Sequence, residues 1–472
     1  MTQFGAVVVG SGPNGLAAAI EIARTGRKVI VFEAADTIGG GCRSAELTLP
    51  GFVHDICSAI HPFAILSSCF QSLPLAEFGL EWIQPPLAMA HPFDDGTVAW
   101  VSRSVDETAA ALGPDGPSYR NVIGSIVGSW PQIGSAVLGP LCWPQHPIAL
   151  ARFGLRALQP ADRTARRLFT TERARALFAG IAAHAMLPLD RRPTAGVGFV
   201  LNATAHLAGW PMPRGGARSF TAALANYLRS LGGEIVTGTR VSSIDELPPS
   251  RAVLCDLSPA PLLKLAGHRF PASYRRALER YRYGMAVFKV DWALDGPIPW
   301  RNPECGRAGT VHLGGTLNEI AASERDVWNG RHPERPYVLL TQPTLFDASR
   351  APAGKHVAWT YCHVPRGSTN DMLPAIERQI ERFAPGFRDR VLARAVMNAA
   401  DIEAYNPNFV GGDIAAGVTD LRQLFARPTW RTYSTPVRGL YICSASTPPG
   451  VGVHGMCGYF AAQRALREVF GV

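Results

Sequence analysis

The chain has 472 residues, 47% of them hydrophobic, and a formal net charge of +9. That length can bury a large core and predicts two to three domains, and the apolar fraction excludes a disordered chain. Nearly all the positive charge is arginine, the lysines being Lys28, Lys264, Lys289 and Lys355 alone. The bias reads as coding composition, with attraction to an anionic surface as the functional alternative.

Nine cysteines, at 42, 57, 69, 142, 255, 305, 362, 443 and 457, form no C-x-x-C or C-x₄-C pair. This removes redox-disulfide and zinc-ribbon chemistry, and no metal site is expected. An odd, scattered set predicts a reducing cytoplasm. The N-terminus runs directly into its first element, without a basic region or cleavage site, so no signal peptide is expected. No apolar run reaches the ~18 residues of a spanning helix.

Residues 4–10 (F-G-A-V-V-V-G) form an apolar run that predicts a strand. It opens into Gly10-Ser11-Gly12-Pro13-Asn14-Gly15, an Ala-rich helical stretch at 16–24, and a second apolar run at 28–32 that ends on Glu33. Strand, glycine turn, helix, strand and acid in that order predict a site for an adenine dinucleotide. Gly10 allows the tight turn, Gly12 lets backbone approach a pyrophosphate, and Gly15 lets helix and strand pack closely. The helix start offers free N–H groups to the phosphates, and Glu33 can accept hydrogen bonds from ribose hydroxyls.

Residues 76–209 read as mostly helical with many breakers. Within them 121–151 contains no Asp, Glu, Lys or Arg, and Arg152, Arg156, Arg163, Arg166, Arg167, Arg173 and Arg175 follow at once. The expectation is a buried wall of an apolar pocket beside a solvated Arg-rich helix. The alternative is a surface that docks peripherally on the inner face of a membrane. The βα pattern returns at 213–241 with Pro213-Arg214-Gly215-Gly216, a helical run at 219–231 and a strand-like run at 234–241; a short strand follows at 252–256. Strand-like runs at 286–292, 337–341 and 356–362 and an amphipathic helix at 373–383 lie in the second long insertion, 263–429. The last strand, 440–444, precedes a Gly/Pro-rich turn (447–455) and a closing helix around 459–470.

The predicted fold class is α/β. A discontinuous Rossmann-like FAD-binding domain takes residues 1–75, 210–262 and 430–472, and an inserted α+β substrate domain takes 76–209 and 263–429. FAD is the expected cofactor because no second glycine fingerprint exists for NAD(P): Gly314-Gly315 and Gly411-Gly412 lack the strand and spacing.

Several segments carry a resemblance: V-V-V-G-S-G-P-N-G…V-F-E-A with Ile38-Gly39-Gly40, P-G-F-V-H-D at 50–55, R-G-G-A-R-S-F…L-G-G-E-I-V-T-G-T-R-V at 214–241, and G-L-Y-I-C-S-A-S-T-P-P-G-V-G-V-H-G at 439–455. Together they resemble the phytoene desaturase and carotenoid isomerase superfamily of flavoenzymes. G-G-D-I at 411–414 and L-F-A-R-P at 424–428 look closer to its phytoene-dehydrogenase-like branch, related to the pyridine nucleotide-disulphide oxidoreductase domain-containing protein 2 of animals. The resemblance implies that Ser11, Pro13 and Asn14 line the pyrophosphate and that Glu33 and Ala34 meet the adenosine ribose. It further implies close passage of Gly40 and Gly41 by the phosphates and ribitol, and an adenine held by the Val241 backbone. Ala445, Ser446, Gly452 and Val453 are implied at the ribitol and the pyrimidine edge of the flavin. The chain departs from many relatives at Gly41, where they carry Arg and the nearest here is Arg43. It departs also at Ser444 and Ser446 in the closing motif, and at His454, which replaces a Pro.

Two histidines are candidate catalytic groups. His454 sits in the flavin-closing turn, where it can face the ring or bond local backbone, and the resemblance brings the segment of His61 under the flavin. Lys289 reads as part of a solvated strand face. Asp413 and Asn406 read as caps, with a place in the pocket as the alternative. Arg214 and Arg218 can hold a substrate carboxylate or flank the phosphates. The expected function is an FAD-dependent oxidoreductase that desaturates, oxidises or isomerises a lipophilic isoprenoid, retinoid or acyl substrate by hydride transfer to flavin N5. The sequence leaves the electron acceptor open among oxygen, a quinone and another protein, and nucleic acid is not an expected partner. An amine-oxidase-type flavoenzyme and a non-catalytic, FAD-stabilised assembly protein are the competing readings.

Overall fold

Two sheets organise the chain, and the computed structural model describes residues 4–471 of it. The first sheet has five strands in the order Leu440–Ile442, Ser250–Cys255, Phe4–Val9, Val29–Phe32 and Glu234–Val236, with every neighbouring pair parallel. Strands covered on both faces read as continuous apolar runs, and Ala6, Val7 and Val8 are wholly buried. The chain leaves Phe4–Val9 for Val29–Phe32 on one side and later returns to Ser250–Cys255 on the other. Such a switch opens a crevice at the carboxyl end of the first strand, where Gly10 stands.

Helix Pro13–Ala23 springs from the glycine turn and packs against helix Met456–Ala465, and Leu16, Ala17, Ile20, Ala461 and Ala465 share one core. Small residues permit the approach: a Cβ on Gly458 would lie 1.8 Å from the carbonyl oxygen of Asn14.

The second sheet has seven strands in the order Val391–Met397, Ala286–Leu294, His356–Val364, Val338–Thr341, Ala308–Leu313, Leu87–Pro92 and Val98–Val101. Its pairings are antiparallel except that of Ala308–Leu313 with Leu87–Pro92. Ala286–Leu294 is buried at all nine positions. One side of this sheet meets helices Glu172–Ala183 and Thr194–Ala208, and the other meets helix Leu373–Phe383.

The stretch 76–209 is mostly helical, as its pattern predicts, but it also supplies strands Leu87–Pro92 and Val98–Val101, which that pattern does not predict; they are joined by a tight turn in which Phe93 N–H donates to the Thr97 carbonyl at 2.9 Å. The Asp95-Gly96 pair between two apolar runs is the hairpin signal for it. One expectation needs correction: 121–151 is not a buried wall along its whole length. Ile126, Trp130 and Ile133 point inward from helix Ser125–Val137, but Leu141, Trp143 and Ile148 are exposed. Pro140, Pro144 and Pro147 break the helical register there and carry those side chains across the outside. Among the described residues no helix is long and apolar enough to cross a membrane.

Candidate active site

A cavity of about 840 Å³ runs from the switch point of the parallel sheet to the inner face of the mixed sheet. That is toward the upper end of the range for ligand pockets, roughly 300–1,000 Å³.

The glycine turn forms one end. Gly10 has φ 102°, a conformation glycine adopts without strain, and Gly10, Gly12, Pro13 and Asn14 face the cavity. A Cβ on Gly15 would fall 2.0 Å from the Gly10 carbonyl oxygen, and one on Gly12 would fall 2.6 Å from Asp256 Oδ2. Gly12 gives the helix no side-chain cap, and Gly15 N–H donates to Asp256 Oδ2 at 3.1 Å. Asn14 Oδ1 is buried without a partner. A helix start with no cap from its own N-terminal residue, a cradle that any Cβ would fill and an orphaned amide oxygen fit a dinucleotide phosphate.

Glu33 ends the second strand on the cavity wall beside Ala34. Its Oε2 accepts Ser11 N–H at 3.0 Å and Ser11 Oγ–H at 2.7 Å; its Oε1 accepts Ala35 N–H at 2.9 Å and Arg43 Nη2 at 3.2 Å. A carboxylate has about four acceptor sites, so a ribose hydroxyl at Glu33 would take the place of Arg43, the longest of these contacts. Arg43 also lies over the Tyr405 ring at 5.1 Å, and Tyr405 donates to the Gly40 carbonyl at 2.7 Å. Gly40 and Gly41 line the same wall, and Val241 lines it farther along. Ser444, Ala445, Gly452 and Val453 close the opposite side.

Four candidate residues stand behind the wall. Ser11 supports Glu33, and Gly15 packs on Gly10. Ser446 is wholly buried, its Oγ 2.6 Å from that of Ser444. His454 has both ring nitrogens on nearby backbone: Nε2 lies 3.2 Å from the Gly450 carbonyl and Nδ1 accepts Met456 N–H at 3.1 Å. His61 does line the cavity, with Nε2 2.6 Å from Ser58 Oγ and the ring stacked 5.9 Å from Phe220. Burial lowers its pKa to about 4.

The other end is apolar and aromatic: Phe63, Leu201, Trp210, Leu339, Trp359 and Tyr361. Two titratable rings face it, the Tyr361 phenol and the imidazole of His184, whose Nε2 lies 3.0 Å from His312 Nε2. His312 and His91 flank Gly180, where a Cβ would be 3.2 Å from the Nδ1 of each; His91 Nε2 lies 2.7 Å from the Gly315 carbonyl. Burial lowers the pKa of His184 to about 3 and that of His91 to about 4, and it lowers that of His312 well below the usual range. These residues come from a helix and two strands far apart in the chain. Their one sequence signal is a histidine within each of two apolar strands, L-A-M-A-H-P and A-G-T-V-H-L.

Lys289 is not on a solvated face. It is 2% exposed, ion-paired with Asp291, and 5.9 Å from the Trp359 ring, because its strand lies inside the mixed sheet with both faces covered. Arg214 and Arg218 are away from the cavity wall; Arg214 pairs with Glu81 at 2.7 Å on the surface. Asp413 gathers the N–H groups of Gly284, Ala415 and Gly417, and Asn406 lines the cavity while accepting Asn408 N–H at 3.1 Å.

The NAD(P)-binding Rossmann-like domain family matches residues 8–66. Pyridine nucleotide-disulfide oxidoreductase domain-containing protein 2 of Rattus norvegicus is 25% identical, over 99% of this chain and 94% of its own length. A phytoene dehydrogenase of Streptomyces griseus is 24% identical, over 82% of this chain and 77% of its own. An oxidoreductase from Methanosarcina mazei has the same fold, with a TM-score of 0.68 at 17% identity, covering 97% of this chain and 99% of that one. The glycine cradle, the paired acid at its far strand and these matches agree: the chain is similar to pyridine nucleotide-disulfide oxidoreductase domain-containing protein 2 along nearly its whole length and to a phytoene dehydrogenase along most of it, and it is an FAD-dependent oxidoreductase.

Proposed function

We propose that this oxidoreductase acts on the carbon skeleton of a lipophilic molecule of isoprenoid, retinoid or long-chain acyl type, desaturating, oxidising or isomerising it. The observation that carries the reading is the composition of the cavity's far end: an apolar and aromatic wall whose one imidazole is that of His184. FAD, held by the glycine turn, Glu33 and the 444–453 segment, would supply a hydride acceptor when bound. The protein's own part is to hold the substrate by burial and to receive a proton. In a desaturation, two C–H bonds on adjacent carbons break and a C=C bond forms. One hydrogen leaves as hydride, and the other leaves as a proton to His184. Burial keeps that ring neutral near pH 7, with a lone pair free to accept, and also disfavours the charged form, so the proton is passed on once it has been taken. Oxygen or a quinone is the proposed final oxidant.

A cationic amine substrate would be favoured by a free carboxylate on the wall, in addition to the aromatic faces that can also attract a cation. The carboxylates on the wall are Glu33, Asp256 and Glu403, and each is already engaged, the last by Gly411 N–H at 2.8 Å. Purified flavoprotein should therefore be bleached anaerobically by a polyene or long-chain acyl donor and not by a primary amine. His184→Asn should slow bleaching by about 10²–10⁴-fold, the usual worth of a general base, with flavin content unchanged. Bleaching by amines alone would overturn the reading, and colour without bleaching by any donor would favour a non-catalytic FAD-stabilised platform.

A further inference from the structure

The outward face of helix Pro147–Ala157 inverts the usual pattern. A surface helix ordinarily buries its apolar stripe and shows charge to water. Here Leu155 is 74% exposed and Ile148 69%, with Ala151 exposed between them, while Phe153 and Ala157 pack inward. The loop that precedes the helix adds Trp143, 91% exposed, and Leu141, 61% exposed. Four large apolar side chains therefore stand in water within one short stretch.

The charge around them is mostly positive, Asp162 being the one acid on the neighbouring helix. No Asp or Glu occurs between positions 116 and 161. Arg152 and Arg156 lie on the exposed side of the helix, and Arg163, Arg166 and Arg167 are exposed on the next helix, Ala161–Leu168. Among the described residues none of these five arginines makes an ion pair with an acid; Arg156 reaches only Ser125 Oγ, at 3.3 Å. Apolar anchors with unpaired cations suit an anionic lipid surface, into which such a helix sinks its apolar side while the guanidinium groups stay among the headgroups. Tryptophan is at home in that interfacial layer. Eleven residues interrupted upstream by prolines lie on a bilayer and do not span it, since a span takes about 20.

We propose that residues 141–156 dock the protein on an anionic membrane surface, with Trp143, Ile148 and Leu155 inserted and Arg152 and Arg156 at the phosphates. The inference rests on surface chemistry alone and stands apart from the reaction assigned to the cavity. The two are nonetheless physically continuous: helix Pro147–Ala157 packs on helix Thr194–Ala208, whose Leu201 is part of the cavity wall.

The FAD-loaded, full-length protein can be floated with vesicles of phosphatidylcholine alone or of phosphatidylcholine with phosphatidylglycerol. Cys142 is the one exposed cysteine among the described residues, so an environment-sensitive thiol dye there reports on the loop. Flotation should occur with the anionic vesicles only, fall as salt is added, and shift the dye's emission to the blue. Trp143→Ser with Leu155→Gln should cut the bound fraction by about tenfold or more, and Arg152→Gln with Arg156→Gln by about tenfold, all with flavin content unchanged. No flotation with anionic vesicles, or flotation that the apolar pair of substitutions leaves untouched, would overturn the proposal. So would a dimer that fails to float and that the same substitutions dissociate, because the face would then belong to a second copy.

Discussion

Asp256 puts a carboxyl group at a helix start that favours anions. Its Oδ2 takes the Gly15 N–H, and burial, with the nearby Glu33 charge adding, pushes its pKa up to about 7. The folded chain thus keeps this proton well above the carboxyl's ordinary value of about 3.9, and across that window the folded state binds more protons than the unfolded one. For this group, stability falls as pH rises from about 4 to about 7. A phosphate entering the same crevice meets a neutral neighbour at low pH and an anion at high pH. FAD should therefore dissociate about tenfold more readily at about pH 8 than at about pH 6, and Asp256→Asn should remove that dependence. Equal pH slopes for both proteins in a fluorescence titration of released flavin would contradict the assignment. The glycines and Glu33 are legible in the sequence because turn, helix and acid follow one another within 30 residues. Asp256 and His184 are not, because their roles depend on what other segments bring beside them.

At the scale of elements, a buried ion pair ties three distant segments together. Asp55, on the short strand Val53–Asp55, accepts Ser44 Oγ–H at 2.7 Å and the N–H of Ala217 at 2.8 Å, the first residue of helix Ala217–Ser230. Its other oxygen accepts Arg350 Nη1 at 2.8 Å, and Arg350 also donates to the Val53 carbonyl at 3.1 and 3.2 Å. Gly216 precedes the helix with φ 97°, and a Cβ there would be 2.6 Å from Ser44 Oγ. P-G-F-V-H-D and R-G-G-A-R-S-F, which the sequence shows only as two separate resemblances, thus form one joint. Asp55→Ala strands a buried guanidinium and uncaps the helix, and should cost about 3–5 kcal/mol in urea unfolding. Adding Arg350→Met should recover part of the loss. A cost under about 1 kcal/mol would mean that the joint contributes little. The strands missed from sequence have equally local reasons. Ala308–Leu313 is short and follows a helical turn, and the edge strand Val391–Met397 alternates exposure with no flanking signal beyond an Arg-rich turn.

For the whole molecule, the burial of histidine sets the response to acid. His54, His61, His91, His184, His206, His312 and His454 all have lowered pKa values, with desolvation the first cause of each. An unfolded chain takes up protons at histidine near pH 6.5, whereas the folded chain resists until far lower. The unfolded state then binds more protons, and stability is lost as pH falls from about 6.5 toward 4. Asp256 and Asp291, with pKa values raised to about 7 and about 6, and Asp413, also raised by burial, act in the opposite sense, but three groups do not offset seven. The melting temperature should fall steeply between about pH 7 and pH 5, and a flat or rising value over that interval would show that the histidines are not buried as described. The division between a nucleotide-type sheet and an inserted layer is legible in the sequence because the βα pattern returns twice. The depth of the second sheet is not, and that is why Lys289, a lone charge in an apolar strand, reads as solvated when it is enclosed.

The pairing of helix Pro13–Ala23 with helix Met456–Ala465 has a consequence for biosynthesis. A ribosome-bound chain can lay helix Ala217–Ser230 against its first helix, but the second helix that covers it is absent until residue 465 has been made. Until then one wall of the flavin crevice is missing, and damage to the last few turns would leave the opening motif intact with only part of its support.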